Sequence, residues 1–371
     1  MKKHRGARRV LIALGILLLA LVLAVGGYVG YMQWQYYRIP DHTALEVQDP
    51  AAGALSAGTE YTALTYNIGF GAYGPDYSFF MDTGVMADGT PVQGKYGKAI
   101  SKEAVLAHTN GALEVLQKQQ ADFMLLQEVD VKADRSYKVD QTELLRRGLA
   151  GYGSVFANNF HSAYLFYPFN DPHGAVDAGL LTFSRHEVAG AERRSYPVDD
   201  SFIVKFTDLD RCFAVLRVPV ENGRELVLIN SHMSAYDAGG TIRARQLELL
   251  NGVLSEEYAK GNYVIVGGDF NHALGETAPT AFESQQQFPA WVFQLTDSDL
   301  AEGFSIVTAQ NETEVPTCRT ADIPWQKGVN YTTVLDGFIV SANVKATAEN
   351  LDTDFAYSDH NPVRLRFALE P

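Results

Sequence analysis

Tyr263-Val264-Ile265-Val266-Gly267-Gly268-Asp269-Phe270-Asn271-His272 is a β-branched apolar run that meets two glycines and then delivers Asp, Asn and His at once. The run predicts a buried strand. The glycines predict a break where the chain turns closely. Polar groups lifted to the end of a core strand stand where open α/β sheets bind ligands. Asp269 and Asn271 are also ordinary turn residues, so this stretch alone leaves a plain turn and a functional strand end both open.

Working outward, the same layout recurs. Tyr61 to Ile68 alternates like a strand and ends on Asn67 before Gly69. Asp122 to Asp130 is a second buried apolar strand, with Glu128 at its tip. A carboxylate there is costly unless it meets a cation or hydrogen-bond donors, and a metal ligand explains Glu128 better than a solvated turn. Arg211 to Val220 and Arg224 to Ser231 read as a hairpin around Asn222-Gly223, a type I′ signal, and the second strand runs into His232. Leu335 to Ser341 carries Asp336 at its start, and Asp359-His360 precede the closing strand, Val363 to Ala368. Helical periodicity covers Ser101 to Gln120, Gln141 to Leu149 and Thr241 to Leu254.

Two stretches read as irregular. Phe70 to Lys98 is rich in Gly, Tyr, Asp and Phe and predicts a long insertion or active-site loop. Ser154 to Gly174 holds Asn158, Asn159, His161, Tyr164, Tyr167 and His173, a composition that suits a substrate wall. Arg135 offers an anion clamp or an exposed surface cation.

The first nine residues form a basic tail, and Val10 to Met32 then run without a charge. As a helix those residues span roughly 34 Å, the depth of a bilayer core. Tyr28, Tyr31, Trp34, Tyr36 and Tyr37 form an aromatic belt at the exit. The basic start predicts a cytoplasmic N-terminus and a single-pass cell-membrane protein whose body lies outside; a cleaved signal peptide is the competing reading. Residues 33–60, with Pro, Gly, Ala and Ser, predict a linker that lifts one domain, 61–371, off the membrane.

Beyond residue 32 the chain carries 25 basic against 44 acidic residues, or −19. A body this acidic repels polyanions, and the sequence lacks the dense basic loops with aromatics of a nucleic-acid groove. Arg193-Arg194 and Lys138 are isolated candidates for one. Cys212 and Cys318 allow one disulfide or two buried thiols. The oligomeric state has no signature.

Taken together, Thr65-Tyr66-Asn67, Leu126-Gln127-Glu128, Ser231-His232, Gly268-Asp269-Phe270-Asn271, Leu335-Asp336-Gly337 and Ser358-Asp359-His360, in that order, resemble the endonuclease/exonuclease/phosphatase superfamily of deoxyribonuclease-I-like phosphoesterases, here as a membrane-anchored, bacterial-type member. The resemblance covers nearly all of Tyr61 to Phe367. It implies an α/β (α+β) fold, a four-layer α/β/β/α sandwich of two mixed sheets, behind one N-terminal transmembrane helix. It implies Mg²⁺ (or Mn²⁺) held by Glu128, Asn67 and Asp359. It also implies Asp269 activating water, Asn271 holding a phosphate oxygen, Asp336 aligning His360, and His232 donating to the phosphoryl or leaving group. For substrate contacts the candidates are Arg135, Asn158, Asn159 and Tyr164. An outward-facing acidic enzyme favours a phosphate ester such as a lipid headgroup. A surface nuclease with the same chemistry and a non-catalytic tethered binding module are the alternatives.

Overall fold

The computed structural model describes residues 2–371 apart from 203, 236–239 and 277, with side chains from Gly6 onward. The charged side chains predicted for the start of the basic tail, Lys2, Lys3, His4 and Arg5, lie outside the described set.

Two seven-stranded sheets form the body. In chain order their strands are β1 (Thr43–Ala44), β2 (Val47–Gln48), β3 (Glu60–Asn67), β4 (Phe123–Asp130), β5 (Gly153–Leu165), β6 (Gly174–Ser184), β7 (Gly190–Ser195), β8 (Cys212–Pro219), β9 (Glu225–His232), β10 (Tyr263–Asp269), β11 (Phe304–Ile306), β12 (Asp336–Ser341), β13 (Val344–Asn350) and β14 (Val363–Leu369). One sheet has the order β13-β14-β3-β4-β6-β5-β2 and the other β1-β7-β8-β9-β10-β12-β11. Within each, one pair is parallel, β3 with β4 and β9 with β10, and each needs a helical crossover. Helix α2 (Lys102–Gln119) supplies the first and α4 (Thr241–Ala259) the second; α1 (Lys2–Gln35) precedes the body and α3 (Gln141–Gly148) follows β4.

The alternation of β10 shows why the layers number four. Tyr263 and Ile265 enter the cluster between the sheets, with Phe123, Leu125, Leu228, Phe338 and Leu365. Val264 and Val266 face outward under Leu250 and Leu254 of α4. On the opposite outer face, Leu64, Met124 and Leu126 are covered by Leu113 and Leu116 of α2 and Leu145 of α3. A strand buried on both sides reads as an unbroken apolar run, and truncating Ile265 to Ala would cost about 2–5 kcal/mol. The four-layer sandwich is therefore as expected.

Several local expectations are corrected. Gly267 and Gly268 lie inside β10, where closeness to neighbours selects glycine: a Cβ on Gly268 would meet Ser231 O at 2.0 Å, and one on Gly267 the Phe338 ring at 2.5 Å. Residues 154–165 are not an irregular wall but the long strand β5, paired with β6. In the 219–225 hairpin only Gly223 has positive φ, and its N–H bonds Val220 O, so the loop is a type I turn with a left-handed glycine rather than type I′. Cys212 and Cys318 are both free and buried, each thiol pushed up to about 12 by burial.

Residues 33–60 do not form a loose linker. β1 pairs β7 in one sheet, β2 pairs β5 in the other, and Leu55 is fully buried between them. Helix α1 runs past the expected 10–32, and from Gly6 to Gln35 it is long and apolar enough to cross a membrane.

Candidate active site

Strand direction gathers the polar residues at one end of the sandwich. Parallel β3 and β4 put Asn67 level with Gln127, and parallel β9 and β10 put His232 level with Asp269. Antiparallel β12 starts where β10 stops, so Asp336 faces Asp269. Antiparallel β14 begins with Val363 opposite Thr65, which brings the preceding Asp359-His360 beside the end of β3.

A shift in register between Leu126 and Val129 then aims Glu128, which takes the left-handed φ of 53°. Such a bulge re-aims a side chain at a sheet end. Its neighbour Gln127 turns inward instead. Gln127 Nε2 donates to Asn230 Oδ1 at 2.8 Å, and Asn230 Nδ2 donates to Leu126 O and to Thr182 Oγ1. All three polar residues are almost completely buried, so this bridge locks the two sheets together beneath the site.

Asp269 is the point of convergence. Its Oδ1 accepts the Asn271 N–H at 2.9 Å, so the turn reading of this Asp is also correct. Its Oδ2 accepts Asn67 Nδ2 at 3.0 Å and lies 3.5 Å from His232 Nε2 and 3.7 Å from His360 Nε2. Asn67 Nδ2 also donates to Glu128 Oε1 at 3.1 Å, while its Oδ1 takes the Gly69 N–H. The amide thus spaces two carboxylates that would otherwise repel. Asn271 Nδ2 donates to Met233 O, which leaves its second amide hydrogen for another acceptor.

The two imidazoles are tuned in opposite directions. Burial pulls His360 down, but the carboxylates of Asp336, Asp269 and Asp359 override it and hold the ring well above the usual histidine value. Its Nδ1 sits 2.8 Å from Asp336 Oδ2. Asp336 in turn is pushed up to about 7 by burial, against the opposing pull of His360. His232 is held well below its usual value by burial first, then by Arg211, His360 and Arg135. The two rings are thus pushed to opposite sides of the ordinary histidine value.

The donor set suits a hard divalent cation. Burial raises Glu128 and Asp359, and each feels other carboxylates of the cluster; Arg135 opposes this at Glu128, His360 and Arg319 at Asp359. Oxygen ligands with a residual negative charge are what Mg²⁺ or Mn²⁺ takes. Asp269, Asp336 and His360 also bring ligand atoms within 4.8 Å of one another. Because Asp336 and His360 are hydrogen-bonded to each other, that trio reads better as an oriented acid–imidazole pair directed at Asp269 than as a metal cage.

The weaker substrate candidates are placed elsewhere. Arg135 is buried, its guanidinium paired through Nε and Nη2 with Asp130, the shorter contact 2.8 Å, and stacked 3.8 Å over the Phe70 ring, so it is no exposed anion clamp. Asn158 Nδ2 binds Asp177, and the adjacent Asn159 is 2% exposed at a register shift of β5. Tyr164 meets α1 through its backbone. Arg193 is buried, Arg194 pairs Asp41 and Lys138 pairs Asp134, so none of the three forms a nucleic-acid groove. Sequence reasoning quoted Gln127 in a motif without a role and missed Asn230, and also Arg211, a buried arginine whose Nε and Nη1 have no partner among the described residues and whose charge reaches His232. The signal for Arg211 was a lone cation directly before an apolar strand.

The sequence matches the model of the Endonuclease/Exonuclease/phosphatase family over residues 64–360. A comparison with curated proteins finds no match. Among solved structures, truncated TDP2 of Caenorhabditis elegans is 14% identical, with a TM-score of 0.52 over 84% of this chain and 99% of that one. An endonuclease/exonuclease/phosphatase of Beutenbergia cavernae is 17% identical, with a TM-score of 0.53 over 84% of this chain and 72% of that one. A protein of the same family from Leptotrichia buccalis is 12% identical, with a TM-score of 0.51 over 83% and 100%. Identities this low speak for the fold alone, and the family match carries the chemistry: this chain belongs to the endonuclease/exonuclease/phosphatase family and is a metal-dependent hydrolase of phosphate ester bonds.

Proposed function

We propose that the chain cleaves a phosphodiester or phosphomonoester by attack of a water that Asp269 orients and deprotonates, with the body outside the membrane entered by α1. The carrying observation is the convergence of Asn67, His232 and His360 on Asp269 Oδ2. Water attacks phosphorus and gives its proton to Asp269. The bond to the leaving oxygen breaks and that oxygen takes its proton from solvent, while the neutral His232 ring offers it a hydrogen bond. His360, charged and fixed by Asp336, offers its Nε2–H to the oxygens on which charge develops. Arg211 and the spare amide hydrogen of Asn271 supply further donors to the phosphoryl group. Glu128 and Asp359, with Asn67 beside Glu128, would hold Mg²⁺ or Mn²⁺, which neutralises phosphoryl charge when bound. The uncharged length of α1 supports a single-pass cell-membrane anchor, and its basic start supports a cytoplasmic N-terminus.

The test is full-length protein assayed on lipid phosphodiesters, inositol phosphates, DNA and RNA with Mg²⁺, with Mn²⁺ and with chelator. Asp269→Ala and His360→Ala should each lose at least about 10³-fold in kcat while retaining the folded circular-dichroism spectrum. Turnover that survives chelation, or full activity in both variants, would refute the assignment.

A further inference from the structure

The β5–β6 hairpin overhangs the active-site end of the sandwich. β6 is antiparallel to β4, with Gly179 level with Val129 and Ala178 level with Asp130, one and two residues past Glu128. Residues 174–177 of β6 and the matching end of β5 therefore continue beyond the site, by roughly 13 Å at about 3.3 Å per residue. The tip is residues 166–173.

The end of β5 leading into that tip is also where α1 and the residues after it are fastened. Tyr28 Oη donates to Tyr164 O at 3.0 Å, and Tyr164 N–H donates to Tyr31 Oη at 3.3 Å. The Tyr28 ring packs edge-on against Phe166, and Tyr37 lies 4.4 Å from the His161 ring. A second contact comes from the segment before β8, where Lys205 Nζ donates to Gln33 Oε1 and Tyr36 meets Phe206. The apolar helix thus enters the body at the end that holds Asp269, and no slack chain separates the two.

Around this junction the body exposes aromatic rings that its own core does not use. Phe166 is 50% exposed, Tyr167 61%, Phe169 84% and Phe202 58%, beside Trp34 at 81% on the helix itself. Lys205 stands over the Phe202 ring at 5.0 Å. Aromatic rings with a neighbouring lysine are what a bilayer interface selects, and these continue the belt of α1 onto the domain.

We propose that these rings seat the active-site end of the sandwich on the bilayer surface, and that the substrate is the phosphoester headgroup of a lipid in that same leaflet. The −19 charge beyond residue 32 disfavours an anionic surface, so the lipid is zwitterionic. This rests on the hydrolase reading and on α1 spanning the membrane, and it names the substrate class that they leave open.

The test uses full-length protein in phosphatidylcholine nanodiscs, with Phe169→Trp as a reporter and the pair Tyr167→Ser with Phe169→Ser as the disabled seat. Relative to the wild type, the Phe169→Trp variant should show an added tryptophan emission that is blue-shifted and quenched by brominated lipid. Hydrolysis of the lipid headgroup should fall at least 10-fold in the double variant, while kcat/KM on the soluble diester bis(p-nitrophenyl) phosphate stays unchanged. Emission at the wavelength of exposed tryptophan, without quenching, would overturn the seat. Emission shifted equally in lipid-free detergent and dependent on protein concentration would also overturn it, assigning the rings to contact with a second copy. A quenched reporter with soluble-ester turnover but no headgroup hydrolysis would overturn the substrate assignment. Loss of soluble-ester turnover in the wild type would count against the hydrolase reading and leave the seat to be judged by quenching alone.

Discussion

His360 Nδ1 and Asp336 Oδ2 stand 2.8 Å apart, both almost wholly buried, with the far nitrogen of the ring turned toward Asp269. The pair does two things. It fixes which nitrogen faces Asp269, and its carboxylate favours the charged ring against the pull of burial. Asp336→Asn should keep the ring's position but weaken its charge, lowering kcat by about 10²–10⁴ with little change in KM. The arm of the pH–rate profile assigned to His360 should move to lower pH. A kcat drop without any change in that arm would reduce Asp336 to a packing role.

Glu128 is the carboxylate whose cost falls most directly on a cation. It is half-buried at the end of β4, in a left-handed backbone conformation, one amide away from Asp269. Glu128→Gln removes a charge that burial disfavours, so in chelator the variant should be as stable as the wild type or more so. With Mg²⁺ the order should invert. A bound ion at 100 times its Kd adds about 2.7 kcal/mol to the wild type, which the variant should lack. Thermal unfolding with and without metal reads both halves, and an equal metal response in the two proteins would remove Glu128 from the ligand set.

A different carboxylate should govern acid stability. Burial works against the charge on Glu257, but Arg217 at 2.8 Å, Lys260 at 2.9 Å and Asn262 at 2.9 Å override it and hold the group at about 2, below its ordinary 4.5. A depressed carboxylate stabilises the fold above its unfolded value and loses that contribution as pH falls through its folded value. The loss should therefore develop between about 4.5 and about 2. Arg217 is a third exposed, so solvent screening limits the effect to about 1 kcal/mol. Glu257→Gln should be less stable than wild type at pH 7 by that amount and indistinguishable from it near pH 2, measured by urea unfolding.

The outline of the sandwich was legible because both faces of its central strands are buried: an unbroken run such as Val264-Ile265-Val266 has few other readings. The ordered strand-end residues were legible for the same reason, since a polar group at the tip of such a run needs a partner. What escaped was long-range pairing. Residues 154–165 have no clean alternation because β5 carries two register shifts against β6, each of which flips the inward face. Residues 43–48 are two short edge strands, too brief for any period to show. Arg135 looked like a clamp because sequence cannot display the Asp130 carboxylate and the Phe70 ring that hold it.

Arg193 carries the last prediction, because it ties the segment between α1 and β3 to the body. Its guanidinium is 1% exposed and donates to Asn158 O and Asp210 O at 2.8 Å each, with a further bond to Ile39 O. Asp210, which pairs with it, also accepts the Ile39 N–H and faces Arg38. Removing one member of a buried charged network strands the rest, typically at about 3–5 kcal/mol. Arg193→Ala should therefore destabilise the body by that order and release residues 39–48, seen as faster amide exchange of β1 while the β10 core stays protected. Uniformly faster exchange across both sheets would instead make Arg193 an ordinary core residue with no special hold on the helix junction.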